Sequence, residues 1–182
     1  MKRAHLKFLI ASLATLYAML AYFTLHPRVS DAYHEYYISK KSDISPKEID
    51  FIQNLTPNTA YNHTSKDIGF KKGWSHPEEN HRWSNEQNSS IIFKIENPEK
   101  FEGLLKLQIS TLGQQNVTLF FNEAHIYTGT MDATEKNIDI LLGKQLLKSG
   151  INVLSFHFPD ARQPNNGDPR FLAMAMKSLQ LL

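Results

Sequence analysis

The sequence contains no cysteine, which excludes a disulfide scaffold, a thiol nucleophile and a cysteine-ligated metal or iron–sulfur site. It also contains no glycine-rich phosphate loop and no GxSxG nucleophile elbow, so neither a P-loop nucleotide site nor an α/β-hydrolase is predicted. Internal repeats and low-complexity tracts are absent as well. The 182 residues, of which 41% are hydrophobic and 21% charged, suffice for one packed domain with an appended segment.

Acidic residues are missing from the first 28 positions, which hold four of the 20 lysines and arginines. The rest of the chain therefore carries 16 bases against 18 acids, and the sequence pI of about 8.7 stems largely from the amino terminus. A domain without a broad positive field cannot hold a phosphate backbone strongly. Nucleic acid is accordingly not a predicted partner.

An uncharged run from Phe8 to Leu25 predicts a transmembrane helix. At a rise of 1.5 Å per residue, its 18 residues span about 27 Å, close to the thickness of the hydrocarbon core of a bilayer. Lys2, Arg3 and Lys7 precede the run, which predicts a cytoplasmic amino terminus and an exported remainder. The alternative is a cleaved signal peptide. The small residues that suit a cleavage site come too early in the run, so we favour an uncleaved anchor in a bacterial inner membrane, with the rest of the chain in the periplasm.

The remainder divides into a linker and a folded domain. We predict a cytoplasmic tip and anchor over residues 1–28, a linker over 29–67 and a β-sandwich over 68–182. Within the linker, Ser45-Pro46-Lys47-Glu48 combines a capping serine, a first-turn proline and a glutamate three positions after the cap. This pattern predicts the start of a short helix.

From residue 68 onward, short apolar runs are separated by turn residues. Several runs alternate with period two, as in Leu104–Ile109, and such alternation places one strand face in a core and the other in solvent. Asn122-Glu123 predicts a tight turn, because asparagine tolerates positive φ. We therefore predict an all-β fold: an antiparallel two-sheet sandwich, jelly-roll-like, preceded by one transmembrane helix and a short linker helix.

The segment from Gly73 to Ser84 holds both tryptophans of the chain together with two carboxylates, two histidines and an arginine. A flat indole ring can stack on the C–H face of a sugar, while charged groups hydrogen-bond its hydroxyls. The alternative is that these residues are structural: Trp74 lies in the core, Trp83 packs under a loop, and Arg82 pairs with a buried acid. The candidate ligand-binding residues are Trp74, Glu78, His81, Arg82, Trp83, Asn122, Asp168 and Arg170.

Metal binding and catalysis are two further hypotheses. The two histidines of this segment are not spaced as in HExxH, and we predict no metal and no other cofactor. Glu78 with Asp168, or Glu79 with Asp160, would supply the two carboxylates that a glycoside hydrolase needs. Sequence does not reveal their separation. We therefore predict no catalytic residues and keep a carboxylate-dependent glycan hydrolase as an alternative.

These motifs resemble those of a jelly-roll, galactose-binding-like accessory module associated with bacterial membrane phosphoglycerol transferases and cell-surface glycosyltransferases. The resemblance covers about residues 68–182. One departure is His81, where that family commonly has glycine or another small residue. The similar stretches, in chain order, are Gly73-Trp74-Ser75-His76-Pro77-Glu78, Arg82-Trp83-Ser84, Gln115 to Asn122, Gly150 to Phe156, Asp160-Ala161 and Gly167 to Ala173.

The resemblance implies a jelly-roll fold and an accessory role with no catalytic residues of its own. The expected function is that of a membrane-anchored, periplasmic, non-catalytic module that binds an envelope glycan or supports a glycan-modifying enzyme. The alternative is a scaffold subunit of a membrane glycosyltransferase or phosphoglycerol transferase complex that binds no glycan. The expected partners are thus an envelope glycan or a membrane enzyme, together with the lipid bilayer through residues 8–25.

Overall fold

A computed structural model of the chain describes residues 2–25, 29, 33, 37–38 and 51–182. The chain divides into two compact units, Met1–Ser30 and Asp31–Leu182. The linker helix that the sequence predicts to begin at Ser45 lies outside the described residues.

The first unit contains helix α1, Lys2–Leu25. Its stretch Lys7–Leu25 has a mean hydropathy of 1.9, and its residues are exposed. An apolar helix with no polar face is suited to a lipid environment. Helix α1 is therefore long and apolar enough to cross a bilayer, a property that an amino-terminal signal sequence would share.

The second unit is built from β-strands. In the described residues these are β1 Ala60–Asn62, β2 Ile68–Phe70, β3 Arg82–Trp83, β4 Asn88–Ile95, β5 Leu104–Thr111, β6 Gln115–Phe121, β7 Ala124–Met131, β8 Lys136–Leu141, β9 Gly150–His157 and β10 Met174–Leu181. Two short 3₁₀ turns, Pro98–Lys100 and Lys144–Leu146, lie between strands.

The strands form two antiparallel sheets. Sheet 1 has the order β1-β10-β5-β8, with β3 also paired to β10, and sheet 2 has the order β2-β4-β9-β6-β7. The predicted all-β antiparallel two-sheet sandwich with an amino-terminal apolar helix is thereby confirmed. The sandwich also takes in residues upstream of Ile68, since β1 pairs with β10, and Leu55 and Tyr61 lie in its core. Tyr61 lies in the edge strand of sheet 1, whereas Leu55 N donates to Lys94 O of β4, in sheet 2, at 2.8 Å.

The core lies between the sheets because buried and partly exposed residues alternate along the strands. In β5, Leu105, Leu107 and Ile109 are at most 2% exposed, and the residues between them point outward. The aromatic rings of Phe93 in β4 and Phe121 in β6 meet at 5.9 Å. Burial of this apolar surface is the main stabilising contribution to such a domain.

Candidate functional site

The tryptophan-containing segment forms a hairpin-like loop that ends in β3. Ser75 N donates to Trp83 O at 2.9 Å, and Trp74 forms an antiparallel bridge with Ser84. At the tip, Glu78 N donates to His81 O at 2.9 Å, and the His63 ring nitrogen Nε2 lies 3.0 Å from Glu78 O. The backbone of the tip is thus held in place, which orients the side chains that it carries.

The carboxylate of Glu78 contacts two other candidate residues. Its Oε1 accepts a hydrogen bond from Arg170 Nη1 at 3.1 Å. Its Oε2 lies 3.3 Å from His81 Nε2, in a geometry that does not make a hydrogen bond. The Glu78 and His81 side chains are 39% and 27% exposed, so ligands in solvent can reach both.

Asp168 holds Arg170 in place from the opposite side. Arg170 Nε and Nη2 donate to the two carboxylate oxygens, the Nη2 to Oδ2 contact being 2.6 Å, and Arg170 N donates to Asp168 Oδ1 at 2.9 Å. These hydrogen bonds from Arg170 hold the pKa of the Asp168 carboxyl below its ordinary value. The same pairing raises the pKa of Arg170. Both side chains therefore stay charged at neutral pH.

Trp83 adds an aromatic surface to these charges. Its indole meets the His81 ring edge-to-face at 5.4 Å, and the Trp83 N–H makes no hydrogen bond to any other described residue. Trp83 pairs with Ala175 and Arg82 with the buried Met176, so their side chains lie on opposite faces of β3. Five candidate residues thus form one chain of contacts, here named the Arg170 cluster: Trp83, His81, Glu78, Arg170 and Asp168.

Trp74 and Arg82 lie outside this cluster and share a different neighbour, Phe70. Trp74 meets Phe70 edge-to-face at 5.1 Å and donates its indole N–H to Ser90 O at 3.0 Å. The Arg82 guanidinium lies 4.0 Å above the Phe70 ring, and burial lowers the pKa of Arg82. No described acid pairs with Arg82. Since Phe70 is in sheet 2 and Arg82 in sheet 1, the three side chains close one edge of the sandwich.

Asn122 lies at the β6–β7 turn. It and Glu123 have φ values of 49° and 73°, which confirms the predicted turn. The Asn122 amide donates to Leu146 O and to Asn152 Oδ1, both at 2.8 Å, and accepts from Val153 N at 2.9 Å. These bonds tie the turn to β9, so the side chain of Asn122 shapes this part of sheet 2.

Arg170 makes Asp168 a poor general acid for glycoside hydrolysis. A glycosidase acid needs a raised pKa, whereas Arg170 lowers that of Asp168. In the other proposed pair, Asp160 Oδ2 accepts a hydrogen bond from Asn116 N at 2.9 Å, and Glu79 is exposed.

Among the described residues, no group of three or more histidine, aspartate and glutamate side chains is placed to hold a metal ion. The cluster is suited instead to hydrogen bonding and ring contact.

No family model matches the chain, and no curated protein matches it. Several solved structures are similar to it. A family two carbohydrate esterase from Clostridium thermocellum in complex with cellohexaose shares 10% identity at a TM-score of 0.42, over 63% of this chain and 32% of that one. The carbohydrate-binding module CBM35 from Paenibacillus barcinonensis shares 14% identity at a TM-score of 0.42, over 69% of this chain and 98% of that one. The carbohydrate-binding module CBM36, in complex with calcium and xylotriose, shares 7% identity at a TM-score of 0.41, over 68% of this chain and 99% of that one.

The chain thus spans about a third of the length of the esterases it matches and nearly all of the two carbohydrate-binding modules. Similarity at these identities and TM-scores assigns no ligand and no activity to this protein.

Proposed function

We propose that this protein is a membrane-anchored, non-catalytic module that binds an envelope glycan through the Arg170 cluster. The observation that carries the proposal is the contact between Glu78 and Arg170, which joins a tryptophan-bearing hairpin tip to a second loop. The result is a partly exposed group of two carboxylates, a guanidinium, an imidazole and an indole. Sugars are recognised by this combination, since their hydroxyls both donate and accept hydrogen bonds and their C–H faces pack on aromatic rings.

Paired charges suit a sugar better than they suit a free ion. Arg170 is already neutralised by Asp168 and Glu78, so the cluster offers no unpaired cation to an anion. The remaining lone pairs of the carboxylates and the Trp83 N–H can still bond hydroxyl groups. Charge-assisted hydrogen bonds of this kind are shorter and stronger than neutral ones. The cluster therefore favours hydroxyl-rich ligands, with Trp83 as the ring surface.

The same contacts support a non-catalytic role. Arg170 keeps Asp168 ionised, so that Asp168 is a poor proton donor to a glycosidic oxygen. We further propose that α1 remains uncleaved as an inner-membrane anchor and that the sandwich lies in the periplasm. The basic residues ahead of the apolar run and its length support this arrangement.

The test is glycan binding by the full chain in lipid nanodiscs, on an array of bacterial envelope polysaccharides. Trp83→Ala should lose at least about fivefold in affinity, since stacking and ring burial contribute on the order of 1–3 kcal/mol. Phe51→Ala is the matched control, because Phe51 is an aromatic residue of the sandwich unit that is 80% exposed and lies outside the cluster. Circular dichroism verifies that each variant is folded.

Three results would contradict the proposal. If folded Trp83→Ala and Arg170→Gln variants bind as the wild type does, the Arg170 cluster is not the site. If no envelope glycan binds and a glycan-modifying membrane enzyme co-purifies, the protein is a scaffold subunit. If a glycan is turned over and Glu78→Gln abolishes turnover while Glu102→Gln does not, it is a hydrolase.

A further inference from the structure

The outer face of sheet 1 carries two rows of mostly polar side chains. Every second residue of β5 is buried in the core, so the residues between them, and their register partners in the neighbouring strands, point outward. Each row crosses β1, β10, β5 and β8. The first row is Asn62, Ser178, Gln108 and Asn137, and the second is Ala60, Gln180, Lys106 and Asp139. We name this surface the amide face, after its asparagine and glutamine side chains.

The amide face continues to the indole ring of the Arg170 cluster. Trp83 is the register partner of Ala175, and Ala175 is the register partner of Ser110. Ser110 occupies an outward position of β5, so all three residues lie on the outer side of sheet 1. Successive outward positions of β5, at Ser110, Gln108 and Lys106, are about 7 Å apart. Trp83 and the amide face are therefore parts of one surface.

The other end of the amide face is apolar. Leu104 and Leu141 are register partners beyond the row that contains Lys106, and Leu141 is 80% exposed. At about 3.4 Å per residue, β5 covers about 20 Å from Leu104 to Ser110. A polar floor thus lies between an indole ring and two leucine side chains. A chain of several sugars has the same mixed character, because its rings present C–H faces as well as hydroxyl groups.

The described charges on and beside the amide face cancel in pairs. The pairs are Lys106 with Asp139, Lys177 with Glu135, and Lys136 with Asp132. Lys177 lies at a bulge in β10, which brings its ammonium group to Glu135. Hydrogen bonds from Lys177 and Gln108 lower the pKa of the Glu135 carboxyl, so this acid stays ionised and its pair stays neutral overall at pH 7. These pairs leave no excess charge to attract an ionic ligand.

The amide groups are oriented by the protein and still have free hydrogen-bonding positions. Gln108 Nε2 donates to Glu135 Oε1 at 2.7 Å, and Gln108 Oε1 accepts from Ser178 Oγ at 3.2 Å. Gln180 Nε2 donates to a backbone carbonyl at 2.8 Å, which leaves its Oε1 without a described partner. Asn137 is exposed and makes no side-chain hydrogen bond to another described residue. A depression of about 360 Å³ lies over these groups.

We propose that the Arg170 cluster is one end of a longer binding surface that includes the amide face, and that this surface takes an extended, uncharged polysaccharide chain. The inference rests on the function proposed above, because Trp83 belongs to both. The free amide groups bond sugar hydroxyls, while Trp83 and Leu141 contact C–H faces at the two ends. A charged glycan would bring uncompensated charge to a surface whose own charges are already paired.

The test uses the full chain in phosphatidylcholine nanodiscs, with calorimetric titration of sugar hexamers and of the dimers of the same sugars. The uncharged series are α-1,4-linked glucose, β-1,4-linked glucose and β-1,4-linked N-acetylglucosamine, and a galacturonate hexamer is the anionic comparator. At least one uncharged hexamer should bind at least about twentyfold more tightly than its dimer, beyond the roughly fivefold gain from presenting overlapping dimers. It should bind at least about fivefold more tightly than galacturonate, with an affinity that salt hardly changes.

Two variants with matched controls locate the binding. Gln180→Ala and Asn137→Ala should each lower the hexamer affinity at least about twofold, and together at least about fivefold, as for lost neutral hydrogen bonds. Gln87→Ala is the control for the first, because Gln87 is exposed and also donates to a backbone carbonyl. Asn116→Ala is the control for the second, because Asn116 is an exposed strand residue of sheet 2. Both controls should bind as the wild type does, and circular dichroism verifies folding.

Four results would overturn the proposal: no uncharged hexamer binds, the best hexamer gains no more than about fivefold over its dimer, galacturonate binds as tightly, or the folded double variant binds as its controls do. The two hypotheses fail separately. Glycan binding that is lost in Trp83→Ala but unchanged in the double variant retains the Arg170 cluster and removes the amide face. Hexamer binding that is lost in the double variant but unchanged in Trp83→Ala contradicts the cluster as the site.

Discussion

Arg170 Nη1 lies 3.1 Å from Glu78 Oε1, across 92 positions of sequence. The contact brings the tip of the hairpin before β3 against the loop before β10. Arg170 is in turn held by Asp168, two residues before it, whose own backbone N–H is bonded to Asn166 Oδ1 at 3.1 Å. The guanidinium therefore has a defined position between two carboxylates, which is what makes the Arg170 cluster one site.

The first prediction concerns acid stability. The hydrogen bonds from Arg170 lower the pKa of Asp168 in the folded protein, so their stabilising contribution is complete above the pKa of an unfolded aspartate. It is lost as the pH falls below about 4 and through the folded pKa. Asp168→Asn should therefore be less stable than the wild type at pH 7, and should lose less of its stability on acidification. Thermal midpoints from pH 7 to 2, followed by tryptophan fluorescence, measure both effects.

Glu102→Gln is the control for this titration, since Glu102 is an exposed carboxylate with no ion pair or side-chain hydrogen bond to another described residue. It should follow the wild-type curve. Parallel curves for Asp168→Asn and the wild type would contradict the folded-state pairing of Asp168 with Arg170.

The second prediction separates two glycines that both have positive φ. A Cβ at Gly73 would lie 2.1 Å from Asn88 O and 2.9 Å from Ser89 Cα, whereas a Cβ at Gly167 would meet nothing within 4 Å. Gly73→Ala should cost at least about 3 kcal/mol of unfolding free energy, because backbone must move in addition to the strain at φ +92°. Gly167→Ala should cost about 1 kcal/mol, the strain alone.

Denaturant unfolding monitored by tryptophan fluorescence measures this difference within the sandwich, since both tryptophans of the chain, Trp74 and Trp83, lie there. Equal losses in the two variants would show that the approach of Gly73 to β4 is not tight.

The third prediction concerns membrane topology. A carboxy-terminal alkaline phosphatase fusion should be active, and a green fluorescent protein fusion dark, because the basic residues at the start of α1, ahead of its apolar run, retain the amino terminus in the cytoplasm. Intact mass of the membrane-extracted protein should include α1. Replacing Lys2, Arg3 and Lys7 with glutamate should reduce phosphatase activity. Loss of α1 from the mature protein would instead identify a signal peptide. A fluorescent green fluorescent protein fusion together with an inactive phosphatase fusion would show that the carboxy terminus lies in the cytoplasm.

Local patterns were sufficient to predict the fold class. Strand alternation such as that of β5, the Asn122-Glu123 turn and the apolar amino-terminal run each depend on neighbouring residues, and the structure has all three. The same patterns did not separate Trp74 from Trp83. The bond from the Trp74 indole to Ser90 and the packing of that ring on Phe70 bridge distant strands, so no local pattern reports them.

The pairing of Ser90 with Ser155 had no local signal. Ser90 and Ser155 are 65 positions apart and are small residues between larger ones in two separate strands; only their pairing in register produces a groove. Similarly, Asn122 is a turn residue by sequence, whereas its hydrogen bonds to Asn152 and Leu146 depend on the neighbouring strand β9 and the loop before it.

By itself, the sequence determined that this protein has an apolar amino-terminal helix and a sandwich of short strands, because hydrophobic periodicity reports which side of each element is buried. It also identified the segment around the two tryptophans as rich in charged and aromatic side chains. Only the tertiary structure decided which of those side chains meet. Contacts such as Glu78 with Arg170 and Ser90 with Ser155 depend on the order and register of the strands and on the paths of the loops. These bring together residues that are far apart in the sequence.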